Sequence, residues 1–284
     1  MIVNLSDSPD SLKWEKNEDP RGLLKKVLCF LLDLDGTVYL DDRWIPGAPE
    51  FLERLKRLGK KFVFLTNNSS RGRAAYFEKL AKMGLIIEKA QLATSGDATI
   101  QWLRREMPGK RVFLAGTPSL KEDFLSEGVT LDDETPDAVV LAFDTGLDYA
   151  KLVKLCNLVR SGKPFIATHP DFNCPGRTGP VPDVGSFLAC VEASTGRRPD
   201  LVIGKPNAGI VDYALGLAGA LKEHSALVGD RLYTDIPSGV NNGLLSVCVL
   251  SGESTLEDVL NCEIQPHLVF DSLREMIPFL QPAE

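Results

Sequence analysis

The 284-residue chain carries a formal charge of −7, with 44% hydrophobic and 25% charged residues, a composition that fits one large or two modest globular domains and excludes a wholly disordered chain. Its acidic balance, without any run of lysines and arginines, excludes a broad nucleic-acid interface and points to a small-molecule partner. No apolar run approaches the roughly 18 residues of a membrane span and the N-terminus lacks a secretory stretch, so a cytoplasmic protein with no membrane partner is expected.

Residues 1–24 are polar and turn-rich and read as an extension with a short helix around 10–16. From Lys26 onward short apolar runs alternate with amphipathic stretches, the pattern of βαβ units and a parallel sheet. A first strand, Val27 to Leu32, runs into "DLDGT". A helix follows in which Phe51, Leu52, Leu55 and Leu58 share a face, with Gly59 as its stop. The strand "KFVFL" ends at Thr66, and a helix from about Arg73 ends at Gly84. The alternation continues through "RVFLAG", "DAVVLAF" and "PFIATHPD", with intervening helices, into the Pro- and Gly-rich loop "THPDFNCPGRTGPVPDVGSF". The strands "DLVIGKP", "SALVGD" and "LLSVCVL" then resume the pattern. The expected fold is a doubly wound α/β parallel-sheet core over 25–94 and 200–284, with a separate α/β unit inserted at 95–199.

Four segments place polar residues directly after an apolar strand: "DLDGT" at 33–37, "TNN" at 66–68, "GKP" at 204–206 and "VGDRLYTD" at 228–235. If their strands share one parallel sheet, the four tips share its carboxyl edge, where ligands bind in open α/β sheets. Clustered carboxylates repel unless a hard cation neutralises them, and oxygen donors favour Mg²⁺ over zinc. Lys205, with Thr66 and Asn67 as donors, suits a phosphoryl group, whose transfer requires positioning and charge neutralisation. An aspartate can act as nucleophile by forming an aspartyl-phosphate.

Blander explanations exist for each segment alone. An EF-hand fails because, counting from Asp33, Gly36 falls at position four and Trp44 at position twelve. Asn68 can simply shape its loop, Lys205 can be a solvated strand-end lysine, and Asp230 and Asp235 can cap helices. A dinucleotide site lacks its G-x-G-x-x-G turn. The six cysteines have no C-x-x-C pair and read as reduced thiols, while His169, His224 and His267 lack zinc-site spacing.

Taken together and in order, D-x-D-G-T, T-N-N, G-K-P and G-D-x-x-x-T-D resemble the haloacid dehalogenase superfamily of phosphohydrolases. The likeness is narrowest to the NagD-like, 4-nitrophenylphosphatase and phosphoglycolate-phosphatase-like branch, and it extends through "TSGDAT" (94–99), "PFIATHPD" (164–171) and "TGRRPDLVIGKP" (195–206). The resemblance implies an inserted α/β cap that closes over the substrate and a Mg²⁺-dependent phosphatase of small phosphomonoesters. It implies Asp33 as nucleophile and metal ligand, and Asp35 as general acid and base with its backbone carbonyl on the metal. Asp230 would complete the ligands, Asp235 would support the metal shell or Lys205, and Thr66, Asn67 and Lys205 would hold the phosphoryl group. Asn68, His169 and Asp171 are further substrate-binding candidates, with Arg177 behind them. A phosphotransferase of the same fold and a non-catalytic phosphate-binding member are the alternatives, and a homodimer through the cap is a possibility the resemblance raises. "HPD" stands where many relatives have "NPD", and Asp41 and Asp42 stand where relatives often carry a glycine.

Overall fold

The computed structural model describes residues 19–176 and 179–282; the expected helix around 10–16 and Arg177 lie outside them. The chain divides into two compact units. The first holds residues up to Leu65, Lys79–Ala93 and those from Ala214 onward, and the second holds Thr66–Glu78 and Thr94–Tyr213. The main strands, in chain order, are β1 (Cys29–Leu32), β2 (Lys61–Thr66), β3 (Leu92–Thr94), β4 (Arg111–Ala115), β5 (Thr130–Leu131), β6 (Ala138–Leu141), β7 (Phe165–Ala167), β8 (Leu201–Val202), β9 (Ser225–Gly229), β10 (Leu245–Val249) and β11 (Leu268–Phe270).

Six of them form one sheet in the order β11-β10-β9-β1-β2-β3. β1 is central and pairs in parallel with β9 (Cys29 with Ser225 through Leu32 with Val228) and with β2 (Cys29 with Lys61 through Leu32 with Phe64). Every residue of β1 and β9 is buried, the signature of a sheet covered by helices on both faces. The helix Ala48–Arg57 buries Phe51, Leu52 and Leu55 as expected, and its chain leaves through Gly59 at φ +66°. Phe30 and Phe51 meet edge-to-face at 5.7 Å, tying that helix to the central strand.

The second unit is built on a parallel sheet in the order β8-β7-β6-β4-β5. Its core includes Phe113, Val139, Leu141, Phe143, Leu155, Phe165 and Val191. The helix Ser95–Glu106 opens with a capping box in which Thr94 and Asp97 satisfy each other's backbone N–H groups. Asp97 also takes Arg73 at 2.6 Å, which fastens the loop after β2 to this unit.

One expectation is corrected here. "DLVIGKP" was expected to resume the core sheet, but β8 pairs with β7, Leu201 opposite Ile166 and Val202 opposite Ala167. The tip carrying Gly204 and Lys205 therefore belongs to the second sheet, and three of the four motif-bearing tips, not four, lie on the first. No helix among the described residues is long and apolar enough to cross a membrane, and all six cysteines are free thiols.

Candidate active site

In the first unit, parallel pairing of β1 with β9 sets Leu32 beside Val228, so Asp33 and Asp230 emerge from adjacent strand ends. The Asp33 N–H donates to the Val228 carbonyl at 2.9 Å, which carries the ladder one residue past the strand. Asp33, Asp230 and Asp235 are all buried, and ligating oxygens from the three lie within 4.8 Å of one another. Asp35, half-buried one residue beyond Leu34, does not contribute a carboxylate to this group.

Asp230 is held at both oxygens. Thr37 Oγ1 donates to Oδ1 at 3.3 Å, and the Glu253 N–H donates to Oδ2 at 2.7 Å. Gly36, at φ +92°, and Gly252 approach so closely that a Cβ on either would overlap the Asp230 carboxylate. Asp235 opens the helix Asp235–Asn241 and accepts from the Arg231 N–H at 3.1 Å. The helix cap is Thr234, so Asp230 and Asp235 are not capping residues. Burial first, and then the anionic Asp230 and Asp235, push the Cys248 thiol far above its usual range.

These residues fit a hard divalent cation. Three buried carboxylates at such separations are mutually repulsive, their donors are all oxygen, and glycines and directed N–H and O–H donors fix the Asp230 carboxylate rather than letting it turn to solvent.

A second constellation lies wholly in the second unit. Asn67 Oδ1 accepts from the Lys205 N–H at 2.8 Å, and Asn67 Nδ2 donates to the Lys205 carbonyl at 3.0 Å and to Asp171 Oδ1 at 2.9 Å. The side chain of Asn67, expected to donate to a phosphoryl group, thus has both N–H groups engaged within the protein. Asn68 likewise turns its own loop: Oδ1 accepts from the Ser70 N–H at 2.9 Å and from Ser70 Oγ at 2.7 Å. Thr66 Oγ1 accepts from the Asn68 N–H at 3.2 Å. His169 is fully buried, with Nδ1 3.9 Å from Asp171 Oδ2 and Nε2 3.5 Å from Asp183 Oδ1.

Sequence reading missed Thr37, Asp183 and Gly252. Thr37 stands inside the quoted "DLDGT", and Asp183 directly precedes an apolar helical run as its N-cap, its Oδ1 accepting from the Val184 N–H at 2.7 Å. Gly252 carries no local signal of its role.

A cavity of about 600 Å³ in the first unit lies at the opposite, amino end of β2, beside Lys56, Lys60, Lys61 and Phe62. Two of its lysines are spent on the protein: Lys61 Nζ donates to the Ala218 carbonyl at 2.6 Å, and Lys60 Nζ donates to the carbonyls of Leu24, Lys25 and Val27.

A model of haloacid dehalogenase-like hydrolases matches residues 30–130, and a HAD-hydrolase-like model matches 202–276. An acid sugar phosphatase of Staphylococcus aureus strain USA300 is 36% identical over 259 residues, covering 91% of this chain and all of that protein. The chain belongs to the haloacid dehalogenase-like hydrolase family. Among solved structures of that family, a 4-nitrophenylphosphatase from Thermotoga maritima superposes with a TM-score of 0.89 at 50% identity, over 91% of this chain and 99% of that one. NagD from E. coli K-12 superposes with a TM-score of 0.81 at 33% identity, over 88% and 98%. Haloacid dehalogenase-like phosphatases with an inserted cap are thus what this chain resembles along nearly its whole length.

Proposed function

We propose that this hydrolase is a Mg²⁺-dependent phosphatase of small phosphomonoesters, with Asp33 as nucleophile and Asp35 as the proton carrier. The observation that carries the reading is the buried triad Asp33, Asp230 and Asp235 at the ends of paired parallel strands. The names of the relatives, an acid sugar phosphatase and a 4-nitrophenylphosphatase, favour sugar phosphates and aryl phosphates as substrates.

When bound, the cation supplies positive charge against the carboxylates and the phosphoryl oxygens. An Asp33 oxygen attacks phosphorus, the bond to the leaving oxygen breaks, and an aspartyl-phosphate forms. Asp35 gives its proton to the departing alkoxide. It then takes a proton from the water that attacks the phosphorus, which releases inorganic phosphate and restores Asp33. Lys205 and Thr66 bind the phosphoryl group. Asn67 can serve it through its backbone N–H, because its side-chain N–H groups are engaged.

The test is phosphate release from 4-nitrophenyl phosphate with Mg²⁺, with EDTA and with Asp33→Asn. EDTA is expected to abolish turnover, and Asp33→Asn to lower kcat by on the order of 10³ or more. Activity of the Asp33→Asn variant equal to that of the parent overturns the assigned nucleophile.

A further inference from the structure

Asp171 is a buried carboxylate in the loop expected to read the substrate, yet its contacts lead elsewhere. Its Oδ1 takes one N–H of Asn67, whose other N–H and whose oxygen close on the carbonyl and N–H of Lys205. An amide that makes this two-bond bracket has one orientation only, and an acceptor-only carboxylate opposite the remaining N–H selects the same orientation. The three bonds therefore agree. Without Asp171 one Asn67 N–H would be buried and unpaired, which costs more than the bond itself contributes.

The position of Asp171 is itself over-determined. Its carbonyl accepts from the Gly185 N–H at 2.8 Å, at the start of the helix Val184–Thr195. His169 stands between Asp171 and Asp183, its nitrogens at ion-pair range of both, and Gly204 packs against the His169 Cβ and Asn67 Oδ1 without room for a side chain. Thr168 accepts from the Gly204 N–H at 2.7 Å, and Ser69 Oγ lies 3.0 Å from Thr168 Oγ1. Segments 67–69, 168–171 and 204–205 are thus sewn together around the Lys205 peptide.

We propose that Asp171 is a positioning residue for Lys205, acting through Asn67 on the phosphoryl side of the substrate and not on its organic part. The inference rests on the reading of Lys205 as a phosphoryl-binding residue. Loss of Asp171 then weakens every phosphomonoester equally, because all share the phosphoryl group.

The experiment compares Asp171→Leu, Asp171→Asn, Asn67→Ala, the Asn67→Ala/Asp171→Leu double variant and Lys205→Met in the full chain. Readouts are kcat/KM for 4-nitrophenyl phosphate and for a hexose phosphate, and the inhibition constant of inorganic phosphate. Asp171→Leu is expected to lower kcat/KM by about tenfold, by the same factor for both substrates, and to raise the phosphate constant in parallel. Asp171→Asn, whose amide oxygen can still accept from Asn67, is expected to stay within about threefold of the parent. The double variant is expected to match Asn67→Ala alone. Substrate-dependent loss with an unmoved phosphate constant, a loss in Asp171→Asn as large as in Asp171→Leu, or additivity in the double variant overturns the proposal. If Asp171→Leu does not fold, Asp171→Ser, too short to reach Asn67, takes its place in every comparison. If Lys205→Met leaves the phosphate constant unchanged, the reading of Lys205 falls, an outcome distinct from failure of the Asp171 variants in a protein whose Lys205→Met does lose phosphate.

Discussion

Asp230 shows how much a single carboxylate depends on what surrounds it. Its two oxygens are addressed from Thr37 and from the Glu253 N–H, and Gly36 and Gly252 leave no space for it to move into. Gly252→Ala puts a methyl where the carboxylate lies. We expect the half-saturating Mg²⁺ concentration for 4-nitrophenyl phosphate turnover to rise by about tenfold or more, with no change in helical content by circular dichroism, since moving one hard-cation ligand costs affinity before it costs the fold. At this scale the strand-end placement of Asp33 and Asp230 was legible, because the apolar run and the aspartate that ends it stand together in the local sequence. Asn67 was not, because an amide can donate or accept. Which it does depends on Lys205 and Asp171, placed beside it only by the fold.

Among elements, the amino end of β2 shows a buried cation used as a fastener. Lys60 sits next to the strand, and its ammonium donates to the carbonyls of Leu24, Lys25 and Val27 at the end of the helix Pro20–Lys25. Burial lowers its pKa, and the carbonyls compensate for the water it has lost. Lys60→Met keeps the aliphatic stem but strands these carbonyls. The expected cost is about 1–3 kcal/mol of stability, read as a lower denaturation midpoint at unchanged m-value, with kcat unaltered. The helices Ala48–Arg57 and Arg73–Lys82 were readable from their apolar spacing and glycine stops. β8 was misassigned for a physical reason: a short apolar run states that a strand is buried but not which sheet it joins, and only pairing with β7 settles that.

For the whole molecule, the proposed cation site predicts a stability that depends on divalent cation. Three buried carboxylates within 4.8 Å destabilise the first unit when unneutralised, and a cation that binds only the folded state raises stability by about 2.7 kcal/mol at 100 times its dissociation constant. We expect Mg²⁺ to raise the Tm of the transition that unfolds this unit by roughly 5–10 °C, and EDTA to reverse the rise. Asp230→Asn should blunt the increment. An equal rise in Asp230→Asn and in the parent would place the cation elsewhere.

The sequence alone determined the α/β class, the strand-end location of the aspartates and the family they resemble, because strand periodicity, helix caps and carboxylate spacing are local. Tertiary structure decided what depends on distant pairing. It made Asp33, Asp230 and Asp235 one buried cluster, assigned the Lys205 tip to the second sheet, closed Asn67 on the Lys205 peptide, set Asp171 against Asn67, and placed His169 beside Asp171 and Asp183. Asn67 and Lys205 are 138 residues apart, and the hydrogen bonds between them exist only because the second unit folds these two segments together.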